Sequence, residues 1–208
     1  MKKLLFILSL IIGLSSVNAQ MQKGTNELDG SFSFSSSEQT EWISHIFDNR
    51  TVNRSYFYLN PKIGWFISES SVLGFGLGYH FNKTTYDDSD NEYKTNMFSI
   101  RPYFRNYQKI TDKLFYTTTV TVFYGIGKEE IWSDKEADLT EYGISASPGI
   151  TYFLSDKWAI KTTFGKLHYK ESKSEIDSSS DEVRENKTKD LGFELRLDAI
   201  SFGASFYF

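Results

Sequence analysis

Alternation of apolar and polar residues with a period of two runs from Leu28 almost to Phe208, and it narrows the choice of folds more than any other feature of this chain. Leu28, Gly30, Phe32 and Phe34 alternate with Asp29, Ser31, Ser33 and Ser35. Phe57, Leu59, Pro61, Ile63, Trp65 and Ile67 make a second apolar row, and Leu73, Phe75, Leu77, Tyr79 and Phe81 a third. Phe98 to Phe104, Leu114 to Tyr124 and Tyr142 to Tyr152 give three more, followed by a seventh from Ile160 to Phe164. An eighth begins at Phe193, Leu195 and Leu197 and finishes at Phe202, Ala204, Phe206 and Phe208. The phase slips near Gly165 and again between Leu197 and Phe202, and a β-bulge is expected at each place.

These rows exceed the usual strand of about 5–6 residues and reach the roughly 9–11 needed to cross a bilayer with tilt. The connections alternate in length. Segments 38–53, 82–96, 128–140 and 170–189 are long and polar, whereas 68–71, 108–113 and 155–157 are short. Long loops at one end and tight turns at the other are the pattern of an outer-membrane barrel. The expected fold is therefore all-β: an eight-stranded antiparallel up-and-down transmembrane β-barrel. An even strand number places both chain ends on the short-turn side.

The first nineteen residues stand apart from this pattern. Lys2 and Lys3 precede an apolar run from Leu4 to Leu14, which is too short for a membrane-spanning helix of about 20 residues. Ser15, Ser16, Val17, Asn18 and Ala19 then supply small residues suited to cleavage. Residues 1–19 read as a secretory signal peptide and 20–208 as the barrel domain. The competing reading is a buried N-terminal helix or an uncleaved anchor. Cleavage takes the formal charge from −4 to −6. The absence of Cys excludes a disulfide scaffold, a thiolate metal site and a Cys nucleophile. The acidic balance argues against nucleic acid as a partner.

Pro61, Pro102 and Pro148 are all the prolines of the chain, and each lies on an even-numbered row a few residues before a short turn. Proline removes a ladder donor and is disfavoured inside sheets, so three at one level indicate a repeated hairpin. The aromatics beyond them, with Trp158, would form a girdle at the turn-side interface.

In a membrane barrel the apolar rows meet hydrocarbon, since backbone groups are satisfied only by closure. The opposite rows then line the interior. They supply Lys62, Arg101, Arg105, Glu141, Lys161, Glu194 and Arg196, beside Tyr58, Asn60 and Tyr103. An eight-stranded barrel is just wide enough to be filled by its own side chains, and buried charges need partners. The set is expected to be a lumenal salt-bridge network and not a conduit.

Taken together, the signal peptide, Asn60-Pro61-Lys62-Ile63-Gly64-Trp65-Phe66, Gly74-Phe75-Gly76-Leu77-Gly78-Tyr79, Ser147-Pro148-Gly149-Ile150-Thr151-Tyr152-Phe153 and the terminal Ser201 to Phe208 resemble the small outer-membrane β-barrel family of the OmpA transmembrane domain and OmpX, in its Bacteroidetes-type form. The resemblance covers essentially all of residues 20–208. It implies a bacterial outer-membrane location, outer-membrane lipid as surroundings and the barrel assembly machinery as a partner during biogenesis. It also implies that Phe202, Phe206 and Phe208 form the terminal assembly signal. Residues of a periplasmic peptidoglycan-binding domain do not follow Phe208 in this sequence.

Motifs for chemistry are sparse. His45, His80 and His168 fall near the long-loop end, but none has a metal-type histidine neighbour. Asp87, Asp88, Asp90 and Glu92 form an acidic run without the glycine of a calcium loop. No catalytic, cofactor-binding or metal-ligating residue is assigned, and no cofactor is expected. The leading expectation is a non-enzymatic membrane-structural or surface-interaction protein. Its long acidic loops would meet an extracellular ligand. The other two readings are a rim-site barrel enzyme, lipid A-modifying or protease-like, and a soluble periplasmic lipocalin-like binder.

Overall fold

Ten antiparallel strand segments form one sheet that curls until its edges meet. In this computed structural model the described residues are 21–43, 48–87, 89–131, 135–176, 184–195 and 201–208. The segments are β1 (Asn26–Ile43), β2 (Asp48–Phe66), β3 (Ser71–Tyr86), β4 (Ser89–Lys109), β5 (Leu114–Ile131), β6 (Lys135–Phe153), β7 (Trp158–Thr163), β8 (Gly165–Ile176), β9 (Arg184–Leu195) and β10 (Ser201–Tyr207). β7 and β8 are two halves of the seventh wall strand, and β9 and β10 two halves of the eighth. β1 to β6 pair each with the next, β6 pairs with both β7 and β8, β8 with β9, β7 with β10, and β1 with β10, which closes an eight-stranded antiparallel barrel.

Three turns, at 67–70, 110–113 and 154–157, are built alike. The amides of Ile67, Ile110 and Leu154 donate to the carbonyls of Ser71, Leu114 and Trp158 at 2.8–2.9 Å. A hydroxyl at the second position accepts from the backbone in each: Ser68 from the Ser70 amide, Thr111 from the Leu114 amide and Ser155 from the Trp158 amide. This is the repeated hairpin that the prolines mark. Pro61 and Pro102 pair with the preceding strand, opposite Gly30 and Phe75, and the ladder to the following strand lapses at both. Pro148 pairs with Thr118 of β5, and the β6 ladder changes partner from β7 to β8 beside it. Each proline thus sits where the next ladder does without its missing amide.

Two expectations need correction. The long polar segments are mostly strand: β1 runs to Ile43, β3 to Tyr86, β5 to Ile131 and β8 to Ile176, and each is met by a partner almost residue for residue. Alternation fades there because both faces of these ribbons are polar, while backbone ladders need no apolar side chain. Cross-strand ion pairs hold the ribbons, including Lys83–Glu92 at 2.8 Å and Lys128–Glu136 at 2.7 Å. The second correction concerns the phase slips. Near Gly165 there is a one-residue bulge: residues 164–166 face 147–148 between the pairs Gly149↔Thr163 and Ala146↔Leu167. On the eighth strand the step is larger, because Thr163 faces Ser201 and Gly165 faces Leu195, so two steps along the seventh strand answer to six in the numbering of the eighth. Period two registers only whether the extra residues are odd in number.

The wall has the two faces the rows require. Leu77, Phe98, Ile100, Val122 and Ile144 are all about half exposed or more on the outside. Leu73 to Phe81 spans eight steps, about 26 Å along the strand at ~3.3 Å per residue. Inside, Phe66, Val72, Tyr103, Tyr107, Phe115, Ala159 and Tyr207 pack together toward the turn end, with Met21 and Phe153 against them. Gly64 and Gly74 make room for Tyr103, whose ring atoms lie 2.3 Å from where a Cβ on Gly74 would be.

Closure is uneven. β1 and β10 pair at Glu27↔Tyr207 and Leu28↔Phe206, and Asn26 and Phe208 exchange backbone hydrogen bonds at 2.7 and 3.0 Å. Above Leu28, β1 pairs only with β2, and β9 only with β8. The wall therefore has a seam between β1 and β9, where Phe32, Phe34, Leu191 and Phe193 are the most exposed large apolar side chains among the described residues, at 65–76%.

Candidate functional site: a buried ion cluster across the barrel

Inward positions of four wall segments converge near the turn end. β1 contributes Glu27 and Asp29, which share a face because they are two residues apart. β4 contributes Arg105 and Tyr107 on one face, β7 contributes Lys161 and β10 contributes Tyr207. Arg105 reaches across the lumen. Its Nη1 pairs with Glu27 Oε1, its Nη2 lies 2.8 Å from Asp29 Oδ2, and its Nε donates to Thr119 Oγ1 of β5 at 2.9 Å. Lys161 Nζ lies 2.6 Å from Glu27 Oε1 and 3.4 Å from Asp29 Oδ2. Tyr107 Oη donates to Glu27 Oε2 at 2.5 Å and contacts Tyr207 Oη at 3.1 Å. Two acids meet two bases in a site where Glu27 is wholly buried.

Aromatic rings complete the closure. The Arg105 guanidinium sits 5.2 Å from the Tyr103 ring centre, and Lys161 Nζ 5.7 Å from those of Tyr107 and Tyr207. Phe66 stacks on Tyr107 at 5.6 Å, and Phe153 lies 5.0 Å from Tyr207. Below this layer a cavity of about 780 Å³ opens between the turns, with Met21, Phe115 and Phe153 among its lining residues. On its rim, Lys109 lies 2.7 Å from Asp112, and that hydrogen bond holds the exposed Asp112 carboxyl below the usual range. At this level the lumen is crossed by a neutral ion quartet and floored by aromatic rings.

The seven residues expected to form one lumenal network separate. Arg105 and Lys161 are in the quartet, and Lys62 stands next to it, 6.0 Å from the Tyr103 ring. Arg101 lies 4.9 Å from the Phe123 ring. Glu141 forms a separate contact nearer the long hairpins, with Lys170 at 3.2 Å and the Ser172 hydroxyl at 3.2 Å. Glu194 is exposed on β9 and has no place in either cluster. The period of two places its row inward, but β9 has a ladder partner on one side only, which leaves the side chain exposed. Arg196 lies outside the described residues. The acids that do fill the quartet, Glu27 and Asp29, were missing from the expected set. Asp29 begins the polar row of the first strand, and stepping that row back by two reaches Glu27.

The residues considered for chemistry are also dispersed. His45 lies outside the described residues. His80 packs at 5.2 Å from the Tyr56 ring, and His168 Nε2 contacts Asp190 Oδ2 at 3.1 Å, with Gly192 against the imidazole. Among the described residues no three His, Cys, Asp or Glu side chains are grouped to hold a metal ion. In the acidic run, Asp87 Oδ1 accepts from the Thr51 amide at 2.7 Å and Glu92 pairs with Lys83, whereas Asp88 lies outside the described residues. Of the terminal aromatics, Phe206 packs on Trp158 at 4.9 Å and stacks on Phe208 at 5.8 Å. The Phe202 side chain is outside the described set.

Neither a protein-family model nor a curated protein sequence matches this chain. Among solved structures, it is similar to the outer membrane protein OprG from Pseudomonas aeruginosa, with a TM-score of 0.54 at 13% identity. The match covers 92% of this chain and 99% of that one. At this identity the likeness concerns the fold, which is that of a small β-barrel.

Proposed function

We propose that the chain is exported, loses residues 1–19, and resides in a bacterial outer membrane as a non-enzymatic barrel of the OmpA/OmpX-like type. Its lumen is a plug, and its activity is binding by the polar hairpins that extend beyond the wall. The observation that carries this reading is the quartet of Glu27, Asp29, Arg105 and Lys161, which ties β1, β4 and β7 together across a lumen floored by aromatics. A conducting pore would keep that cross-section open, and a rim enzyme would group nucleophile, base and acid at the hairpin end. Location in an outer membrane is supported by the exposed apolar wall and by the likeness to OprG, itself described as an outer membrane protein. Outer-membrane lipid would contact the apolar rows. The assembly machinery would read the terminal Phe202, Phe206 and Phe208, and an extracellular ligand would meet the hairpins. Segments 38–53, 82–96, 128–140 and 170–189 together carry a formal charge of −8, so such a ligand is expected to be cationic and salt-sensitive. Nucleic acid does not suit that charge.

The test is electrical. Residues 20–208, folded in detergent and added to planar bilayers, should give no sustained single-channel current. A stable ohmic conductance in the native protein would contradict the plug.

A further inference from the structure

The quartet is neutral, but the lumen just above it is not. Lys62 and Arg101 face inward from β2 and β4, both in register with Gly76 of β3, which stands between them. Their side chains lean over that strand. The Lys62 Cγ is 2.9 Å from where a Cβ on Gly76 would lie, and the Arg101 Cδ is 3.3 Å from the corresponding point on Gly78. Gly76 and Gly78 thus leave room for the side chains beside them, Lys62 and Asn60 over Gly76 and Ser99 and Arg101 over Gly78.

Neither cation has a carboxylate partner among the described residues. The contacts of Lys62 and Arg101 are to rings: Tyr103 for the first, Phe123 for the second, with a 3.5 Å contact from Arg101 Nη1 to Ser99 Oγ. The quartet's Arg105 lies near the same Tyr103 ring, at 5.2 Å. A second group points to the same place. Asn60 is 3% exposed, its Oδ1 has no hydrogen-bond partner, and that atom lies 3.0 Å from the Gly76 Cβ point. Its Nδ2 donates to Tyr58 Oη at 2.6 Å. Because amide ends are interchangeable by rotation, Tyr58 can donate to Oδ1 instead and leave the Asn60 amino group free to donate.

Two half-buried cations that lack an ion-pair partner are costly to hold in the lumen. An anion held by both of them and by an amide donor removes that cost. We propose that Lys62, Arg101 and Asn60 form a lumenal binding site for a small free oxyanion of the phosphate or carboxylate class. It enters from the hairpin end, since the quartet blocks the other. Arg101 supplies a planar fork suited to two oxygens, and Lys62 a point charge. This inference goes beyond the anchoring role and does not depend on which membrane holds the barrel.

The experiment uses residues 20–208 folded in zwitterionic detergent, titrated with sodium phosphate at an ionic strength held constant with sodium chloride. The readout is the midpoint temperature of unfolding. The native protein should show a saturable rise with phosphate. Lys62→Met and Arg101→Met should each weaken the apparent phosphate affinity by at least ~10-fold, the scale of one charge-assisted hydrogen bond. Lys62→Arg should retain the response, and Lys187→Met, far from the lumen row, should leave it unchanged. In phosphate-free buffer Lys62→Met should be no less stable than the native protein, because a half-buried charge without an ion-pair partner has been removed. Should Lys62→Met fail to fold, Arg101→Met decides the matter. A native protein that ignores phosphate, or an undiminished response in the folded Met variants, would overturn the site.

Discussion

At the scale of single residues, the sharpest consequence of the structure is the interdependence of Glu27 and Arg105. Removing one partner of a buried ion pair typically costs about 3–5 kcal/mol, whereas replacing both with apolar groups of similar volume is often close to neutral. Arg105→Met is therefore expected to lower unfolding stability in urea by that amount, and adding Glu27→Gln should recover part of it. Strictly additive losses in the double-mutant cycle would mean the two side chains do not act together. A second residue-scale prediction concerns Gly74. A methyl group there would meet the Tyr103 ring at 2.3 Å, so Gly74→Ala should destabilise by about 1–3 kcal/mol, as overpacking does. Tyr103→Leu should relieve most of that loss, measured by the same urea unfolding. Both sites show how unevenly the sequence disclosed the interior. Arg105 and Lys161 fall on inward rows and were found by period. Glu27 precedes the first apolar residue of its strand, and no pattern begins before it. The quartet also needs the β1, β4 and β7 faces to meet across the barrel, which no row contains.

At the scale of elements, strand existence and facing were legible because hydrocarbon imposes strict alternation on any wall that crosses it. Strand length was not, because beyond the apolar belt the ladders continue on polar residues such as Thr84, Thr85, Lys94 and Thr95. The three turns were legible from their lengths, and their shared hydroxyl at Ser68, Thr111 and Ser155 gives the physical reason for the repeat. The β1–β9 seam had no signature at all, since register across a closing strand pair depends on the whole circuit of the barrel. Its consequence is measurable. Amides of Gly30–Thr40 and Glu185–Leu195 that point into the seam have no ladder partner, so hydrogen exchange should alternate along both stretches, with fast and slow residues in turn. The corresponding stretches of β3 to β6 should be protected throughout. Uniform protection of β1 and β9 would mean the seam is zipped in the folded protein. Unpaired backbone in hydrocarbon costs several kcal/mol per group, which makes this seam the weakest part of the wall.

At the scale of the whole molecule, one inside and one outside are set by the same period of two. The outside is a belt of large apolar side chains, and the inside is filled by rings, side chains seated over glycines and a compensated ion cluster. Leu77→Arg, on the outer belt, should cost about 2–4 kcal/mol if the residue lies near the bilayer midplane, while Thr119→Ser in the lumen should be mild. The C-terminus belongs to this scale too, because Phe208 closes the ring against Asn26 through two backbone hydrogen bonds. Deleting Phe208 should reduce surface levels in cells more than it slows folding into detergent, and normal surface levels would count against its role in assembly. The central claim, a lipid-embedded barrel with a sealed interior, is tested most directly by a spin-label scan along β5, for which a chain without Cys is ready-made. Single cysteines at positions 117 to 124, labelled and folded into lipid, are read for collisions with oxygen and with a water-soluble paramagnet. The account predicts a period of two, with oxygen favoured at Thr118, Val120, Val122 and Tyr124 and both reagents excluded at Thr117, Thr119 and Phe123. High collision with the water-soluble reagent at those inward positions, or no alternation, would contradict it.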